Sequence, residues 1–200
     1  MQYTRIALDI DDTIADTTEA LRRVVNSQLG ANLTQDDYRT PGEYWGYYER
    51  VWRQHGVADQ LSFKQLNQQM AIDQSHVSLI EGAQVAVHRL ARDAEVLLVT
   101  SRDPSCEGAT REWFAHHFGA EDIQLYFCTS HVDEKAKTKG RLCKELGVQL
   151  LVDDNASHCQ TALDEGVDAI LFGRYGWHHG ATAPVKQCRT WGELVEVLYG

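Results

Sequence analysis

Four short apolar runs in this chain show no alternation of polar and apolar residues, and each stops abruptly at a polar residue or a glycine. They are Arg5-Ile6-Ala7-Leu8 before Asp9, Val96-Leu97-Leu98-Val99 before Thr100, Leu150-Leu151-Val152 before Asp153, and Ala169-Ile170-Leu171-Phe172 before Gly173. A strand with one wet face alternates; a strand covered on both faces does not. Such runs fit the interior of a parallel sheet sandwiched between helices, and Ile123–Cys128 offers a fifth candidate. Helical patterns lie between the runs, at residues 82–93, 105–118, Lys139 to Gly147, 156–165 with Gly166 following, and 190–199. The last opens Thr190-Trp191-Gly192-Glu193, the spacing of a capping box. Strands and helices in this rhythm predict a three-layer α/β fold.

Residues 17–80 interrupt the rhythm with helical patterns alone. Leu21, Val24, Val25 and Leu29 mark one amphipathic helix ending at Gly30. Tyr44, Tyr47, Tyr48, Val51 and Trp52 form the i, i+3, i+4, i+7, i+8 stripe of a second, and Phe63, Leu66 and Met70 a third behind Ser62. Ligands of open α/β sheets sit at the carboxyl ends of the strands. An insert directly after the first strand is therefore expected to cover the site.

Those carboxyl ends carry the chemistry. Asp9-Ile10-Asp11-Asp12-Thr13 places three acids within four residues after a buried strand, which is costly unless a cation compensates them. At a period of two, Asp9 and Asp11 share a side while Ile10 turns inward. Such a pair can hold a hard cation and divide nucleophilic and proton-transfer work; turn or cap formation is the alternative for either residue. Asp153-Asp154-Asn155 ends another buried run and would complete a metal site if that strand neighbours the first; helix capping is its alternative. Thr100 and Ser101 offer hydroxyls for a phosphate oxygen. Lys139 is the favoured cation for a transferring phosphoryl group, with Lys135 and Lys137 as competitors.

The formal net charge of −10 opposes binding of a nucleic-acid polymer. No apolar stretch reaches membrane-spanning length, and the N-terminus lacks signal-peptide architecture. Five cysteines without a CxxC pair read as free thiols of a cytoplasmic protein.

In this order, the acid cluster, strand-end threonine, lysine and acid pair resemble the haloacid dehalogenase superfamily of phosphohydrolases, and the resemblance runs the length of the chain. It implies a Rossmann-like core at 1–16 and 81–200 with a helical cap at 17–80. It implies Mg²⁺ as cofactor and a small phosphorylated metabolite as substrate. Asp9 would be the nucleophile forming an aspartyl-phosphate and Asp11 the general acid/base with its carbonyl on the metal. Thr100 and Ser101 would bind phosphate with Lys139, and Asp154 would ligate the metal with Asp153 as alternate. Within the superfamily the chain looks most like the 5′(3′)-deoxyribonucleotidase group, on the Asp-Asp form of the last motif, Glu81-Gly82-Ala83, and Leu171–Trp177. That makes a nucleoside monophosphate the expected substrate; Trp45, about 100° per residue off the aromatic stripe, is the ring expected to stack on a base or another flat group. Phosphatases of sugar phosphates or phosphoglycolate are the alternative. Arg102, following Thr100-Ser101, departs from the pattern and bears on what the pocket accepts. His116-His117 and His178-His179 read as solvent-facing loops. A receiver-type phospho-acceptor is opposed by chain order and by the insert, and a binding protein without turnover by the complete acid set.

Overall fold

The computed structural model describes residues 1–119, 124–128, 137–179 and 185–200, with the Ala71 side chain left aside. Ile123 and Lys135 therefore lie outside the described residues. Six strands form one sheet: β1 (Arg5–Leu8), β2 (Glu95–Thr100), β3 (Gln124–Phe127), β4 (Leu150–Asp153), β5 (Asp168–Phe172) and β6 (Lys186–Cys188). Their order is β3-β2-β1-β4-β5-β6, and every neighbouring pair is parallel. β6 escaped the sequence reading because Lys186-Gln187-Cys188 has no apolar run; pairing with β5 alone makes it a strand.

The unalternating runs now have their reason. Ile6, Leu8, Leu98, Leu150, Val152, Ile170 and Phe172 enter a core on one face of the sheet. The residues between them, Ala7, Leu97, Val99, Leu151, Ala169 and Leu171, enter a second core on the other. Successive side chains alternate between faces, and both faces are dry.

Five helices cover the sheet. α4 (Ala83–Asp93), α5 (Glu107–Phe118) and α8 (Trp191–Tyr199) join the first core, while α6 (Lys139–Glu145) and α7 (Ala156–Asp164) close the second. α6 lies tightly on α7: a Cβ at Gly140 would overlap the Thr161 carbonyl, so only glycine permits this approach. At α8, Thr190 accepts from the Glu193 amide, but the Glu193 carboxylate takes the amide of Arg189 rather than that of Thr190, so the capping box is shifted by one residue.

Residues 17–80 contain α1 (Thr17–Leu29), α2 (Tyr47–Gln54) and α3 (Phe63–Ile72) with short 3₁₀ turns. Their apolar faces merge with the first core. Gly30, at φ +61°, stops α1, and Ser62 caps α3 by accepting from the Gln65 amide. The second stripe is shortened: Gly46 at φ +67° precedes α2, which leaves Tyr44 outside the helix.

Candidate active site

The strand order reverses between β1 and β4, leaving a crevice beyond their carboxyl ends where open α/β sheets bind ligands. Asp9 follows β1 and its amide donates to the Val152 carbonyl at 2.9 Å, extending the β1–β4 pairing by one residue. Asp153 ends β4 and Asp154 follows it. Pairing thus brings positions far apart in the chain together: carboxylate oxygens of Asp9, Asp153 and Asp154 lie within 4.8 Å of one another, and all three residues are buried.

Among the described residues, the lysine at this group is Lys139. Lys139, the first residue of α6, is 1% exposed. Its Nζ donates to Asp9 Oδ1 at 2.7 Å and Asp153 Oδ2 at 2.6 Å. Lys137, by contrast, is exposed and pairs with Glu145 at 2.5 Å. Burial raises the Asp9 pKa to about 6, with Lys139 opposing and Asp153 and Asp11 adding to the rise. Asp153 goes the other way: burial would raise it, but Lys139 and His158 hold it well below the usual range. Asp154 makes no ion pair among the described residues. Burial, then the charges of Asp153 and Asp9, push its pKa well above normal.

Three buried carboxylates against one ammonium form a set that a divalent cation would neutralise, and all-oxygen donors suit a hard ion such as Mg²⁺. On this chemistry the residues fit the metal that the sequence resemblance implies.

Asp11 stands apart. β1 ends at Leu8, so the period of two does not carry through the following turn, and Asp11 is absent from the three-carboxylate group. Arg102 grips it in a two-point fork, Nη2 to Oδ1 at 2.7 Å and Nε to Oδ2 at 2.9 Å, and the Thr17 hydroxyl adds a bond at 2.6 Å. Burial would raise the Asp11 pKa; the Arg102 charge and these bonds bring it below the ordinary value. Arg102 is itself anchored by Gln74 Oε1 at 2.7 Å and Thr110 Oγ1 at 3.0 Å. The arginine that departs from the sequence pattern is thus bound to the expected acid/base residue rather than projecting freely.

Asp12 serves the backbone. Its φ of +53° turns the chain, and its buried carboxylate accepts from the Thr18 amide at 2.9 Å, the Thr18 hydroxyl at 2.8 Å and the Tyr48 hydroxyl at 3.1 Å. It thereby satisfies a first-turn amide of α1. Burial raises its pKa to about 7.

Thr100 is fully buried at the end of β2, and its Oγ1 accepts from the Arg102 amide at 3.2 Å. The Ser101 hydroxyl lies 3.1 Å from Cys128 Sγ. Trp45 is 60% exposed, its ring edge-on to Tyr44 at 5.1 Å. Tyr44 is the ring that meets the acids. Tyr44 is 37% exposed as a residue, yet desolvation of its hydroxyl first, then Asp154 and Asp9, raise its pKa well above normal, against the opposing effect of a hydrogen bond with the Asn155 side chain. Sequence periodicity assigns Tyr44 to the core stripe; Gly46, left-handed at φ +67°, breaks the helix after it.

The histidine pairs depart from expectation. His116 and His117 lie in the last turn of α5, not in a loop. His178 is half-buried behind the centre, with Nε2 2.6 Å from the Asp154 carbonyl; a carbonyl only accepts, so that nitrogen carries the proton. Trp177 Nε1 donates to the Asp154 carboxylate at 2.9 Å. Neither contact was legible in sequence, where adjacent histidines in a glycine-flanked segment look like a loop.

No protein-family profile and no curated protein sequence matches the chain. Solved structures do. A Lactobacillus delbrueckii protein to which phosphoglycolate phosphatase activity has been ascribed aligns over 100% of both chains with a TM-score of 0.63 and 17% identity. CbbY from Rhodobacter sphaeroides, solved with phosphate, aligns over 96% of both at 0.59 and 18%; a point mutant of CbbY was solved with xylulose 1,5-bisphosphate. YfnB from Bacillus subtilis, solved with magnesium, aligns over 100% of both at 0.58 and 13%. The chain has the haloacid dehalogenase-like fold.

Proposed function

We propose that this chain is a Mg²⁺-dependent phosphomonoester hydrolase that forms an aspartyl-phosphate on Asp9. The observation that carries the reading is the buried convergence of Asp9, Asp153 and Asp154 at the sheet's reversal point, with Lys139 bridging two of them.

Asp9, Asp154 and Asp153 would hold the ion, together with the Asp11 carbonyl. Bound there, it would offset repulsion between a carboxylate nucleophile and a phosphate dianion. An Asp9 oxygen attacks phosphorus, the ester bond breaks, and the leaving alkoxide takes a proton from Asp11. Asp11 then takes a proton from the water that attacks the aspartyl-phosphate, releasing phosphate and restoring Asp9. Lys139 shares the negative charge of the transferring group, and the Thr100 and Ser101 hydroxyls bind its oxygens. The Arg102 fork favours ionised Asp11, which suits the base step; acting as acid requires Asp11 to leave the fork. The segment 17–80 acts as the cap, a role supported by Tyr44 beside the carboxylates and by the Gln74–Arg102 bond.

For substrate class we infer a small phosphorylated metabolite of the sugar-phosphate or phosphoglycolate kind. The fold neighbours support this better than the nucleoside monophosphate suggested by motif resemblance. Trp45, the ring expected to stack on a base or another flat group, is mostly exposed beside Tyr44. Five buried free cysteines support a reducing, cytoplasmic setting, and no helix among the described residues is long and apolar enough to cross a membrane.

The test is a phosphatase panel of sugar phosphates, phosphoglycolate and nucleoside monophosphates, with and without Mg²⁺. Asp9→Asn should lower turnover of every accepted substrate by about 10³-fold or more. Wild-type turnover in that variant would refute the mechanism.

A further inference from the structure

Beside the carboxylate centre lies an open surface cavity of about 270 Å³ that the proposed chemistry does not use. Arg39 from the insert, Arg174, His178 and His179 from the segment after β5, and Gln187 and Arg189 from β6 and its exit line it. The chain as a whole has 29 acidic residues against 19 basic ones. Among the described residues no carboxylate lines it, and three arginines from three separate segments do. Arg39 is tied to Asp36 at 2.7 Å. Arg174 and Arg189 make no ion pair among the described residues, and both are exposed.

Gathering like charges is unfavourable unless an anion offsets it, and guanidinium groups match phosphate oxygens in a two-point geometry. His178 is not the anion's partner, because both its nitrogens are engaged. Nε2 donates to the Asp154 carbonyl, and Nδ1 accepts from Gln187 Nε2 at 3.2 Å. It is the wall between cavity and centre. Tyr175 forms a second wall, donating to the Asp12 carbonyl at 2.7 Å.

We infer that this cavity is a second anion site, taking a phosphate-class dianion on Arg174 and Arg189 beside the carboxylate centre. Inorganic phosphate and the phosphate group of a small metabolite share this chemistry. The site rests on the cavity alone and does not depend on the hydrolase reading.

The experiment is an NMR titration at fixed ionic strength, following the His179 ring as reporter of the cavity and the Trp177 indole N–H as reporter of the centre. One arm uses inorganic phosphate; the other uses a three-carbon alkylphosphonate, which cannot be hydrolysed. The expected result is a saturable His179 response. Its apparent Kd should rise about tenfold or more in the Arg174→Gln, Arg189→Gln double variant, while the Trp177 response stays as in wild type. Saturation with phosphate identifies the free ion as an occupant, and saturation with the phosphonate alone identifies an organic phosphate; either supports the site. A linear His179 response in both arms overturns it. So does an unchanged Kd in the double variant, or a parallel loss of the Trp177 response, which would make the cavity part of the centre.

Discussion

Asp12→Asn tests whether the acid after Asp11 is a structural group. Its carboxyl is buried, and its pKa rises from 3.8 to about 7. The folded state therefore binds this proton more tightly than the unfolded state. Stability from the group is full below about pH 3.8 and is lost as pH rises through about 7. Across the roughly three units between those values, at about 1.4 kcal/mol per unit, ionisation in place costs about 4 kcal/mol. Asparagine mimics the neutral acid. Its carbonyl can accept from the Thr18 amide, its amide can donate to the Thr18 or Tyr48 hydroxyl oxygen, and it tolerates φ +53°. The assay is urea unfolding of both proteins in chelator, followed by tryptophan fluorescence with linear extrapolation, at about pH 4.5 and about pH 7.5. The titrations of Asp9, Asp153 and Asp154 occur in both proteins and largely cancel in the difference. Between these two pH values the stability difference should move in favour of the variant by about 3 kcal/mol. A difference that changes by less than about 1 kcal/mol, or that moves toward wild type, would refute the assigned burial and pKa.

Lys139→Met should lower the unfolding free energy near neutral pH by about 3–5 kcal/mol, because Asp9 and Asp153 lose the cation that bridges them. The loss should shrink on acidification as Asp9 protonates, which urea melts at two pH values will show. Arg102→Ala removes the two-point fork that lowers the Asp11 pKa, so the limb of the kcat–pH profile governed by Asp11 should move to higher pH. Arg102→Lys, which keeps charge without the fork, should move it less; an unmoved profile would separate Arg102 from the proton chemistry.

Secondary structure and layer architecture were legible because they depend on local pattern. An unalternating β-branched run records burial on two faces wherever it occurs, and the alternating assignment of Ile6, Ala7 and Leu8 to two cores gives the reason. Caps were legible for the same reason: Gly30 and Ser62 act on neighbours within one turn. The acids at positions 9 and 153–154 could be identified as residues, because charge directly after a buried strand demands compensation.

Their meeting was a tertiary decision. Nothing local places β4 rather than another strand beside β1, and that pairing alone brings the three carboxylates within 4.8 Å. The same limit holds for side chains whose setting depends on distant segments. Asp11 stays outside the 4.8 Å carboxylate group, and Arg102, 91 residues away, holds its carboxylate. Tyr44 lies outside α2 because Gly46 breaks the helix, and His178 turns from solvent because its Nε2–H finds the Asp154 carbonyl. Hydrophobic periodicity is written along the chain, whereas a hydrogen bond or ion pair between distant segments exists only once the sheet has set their distance.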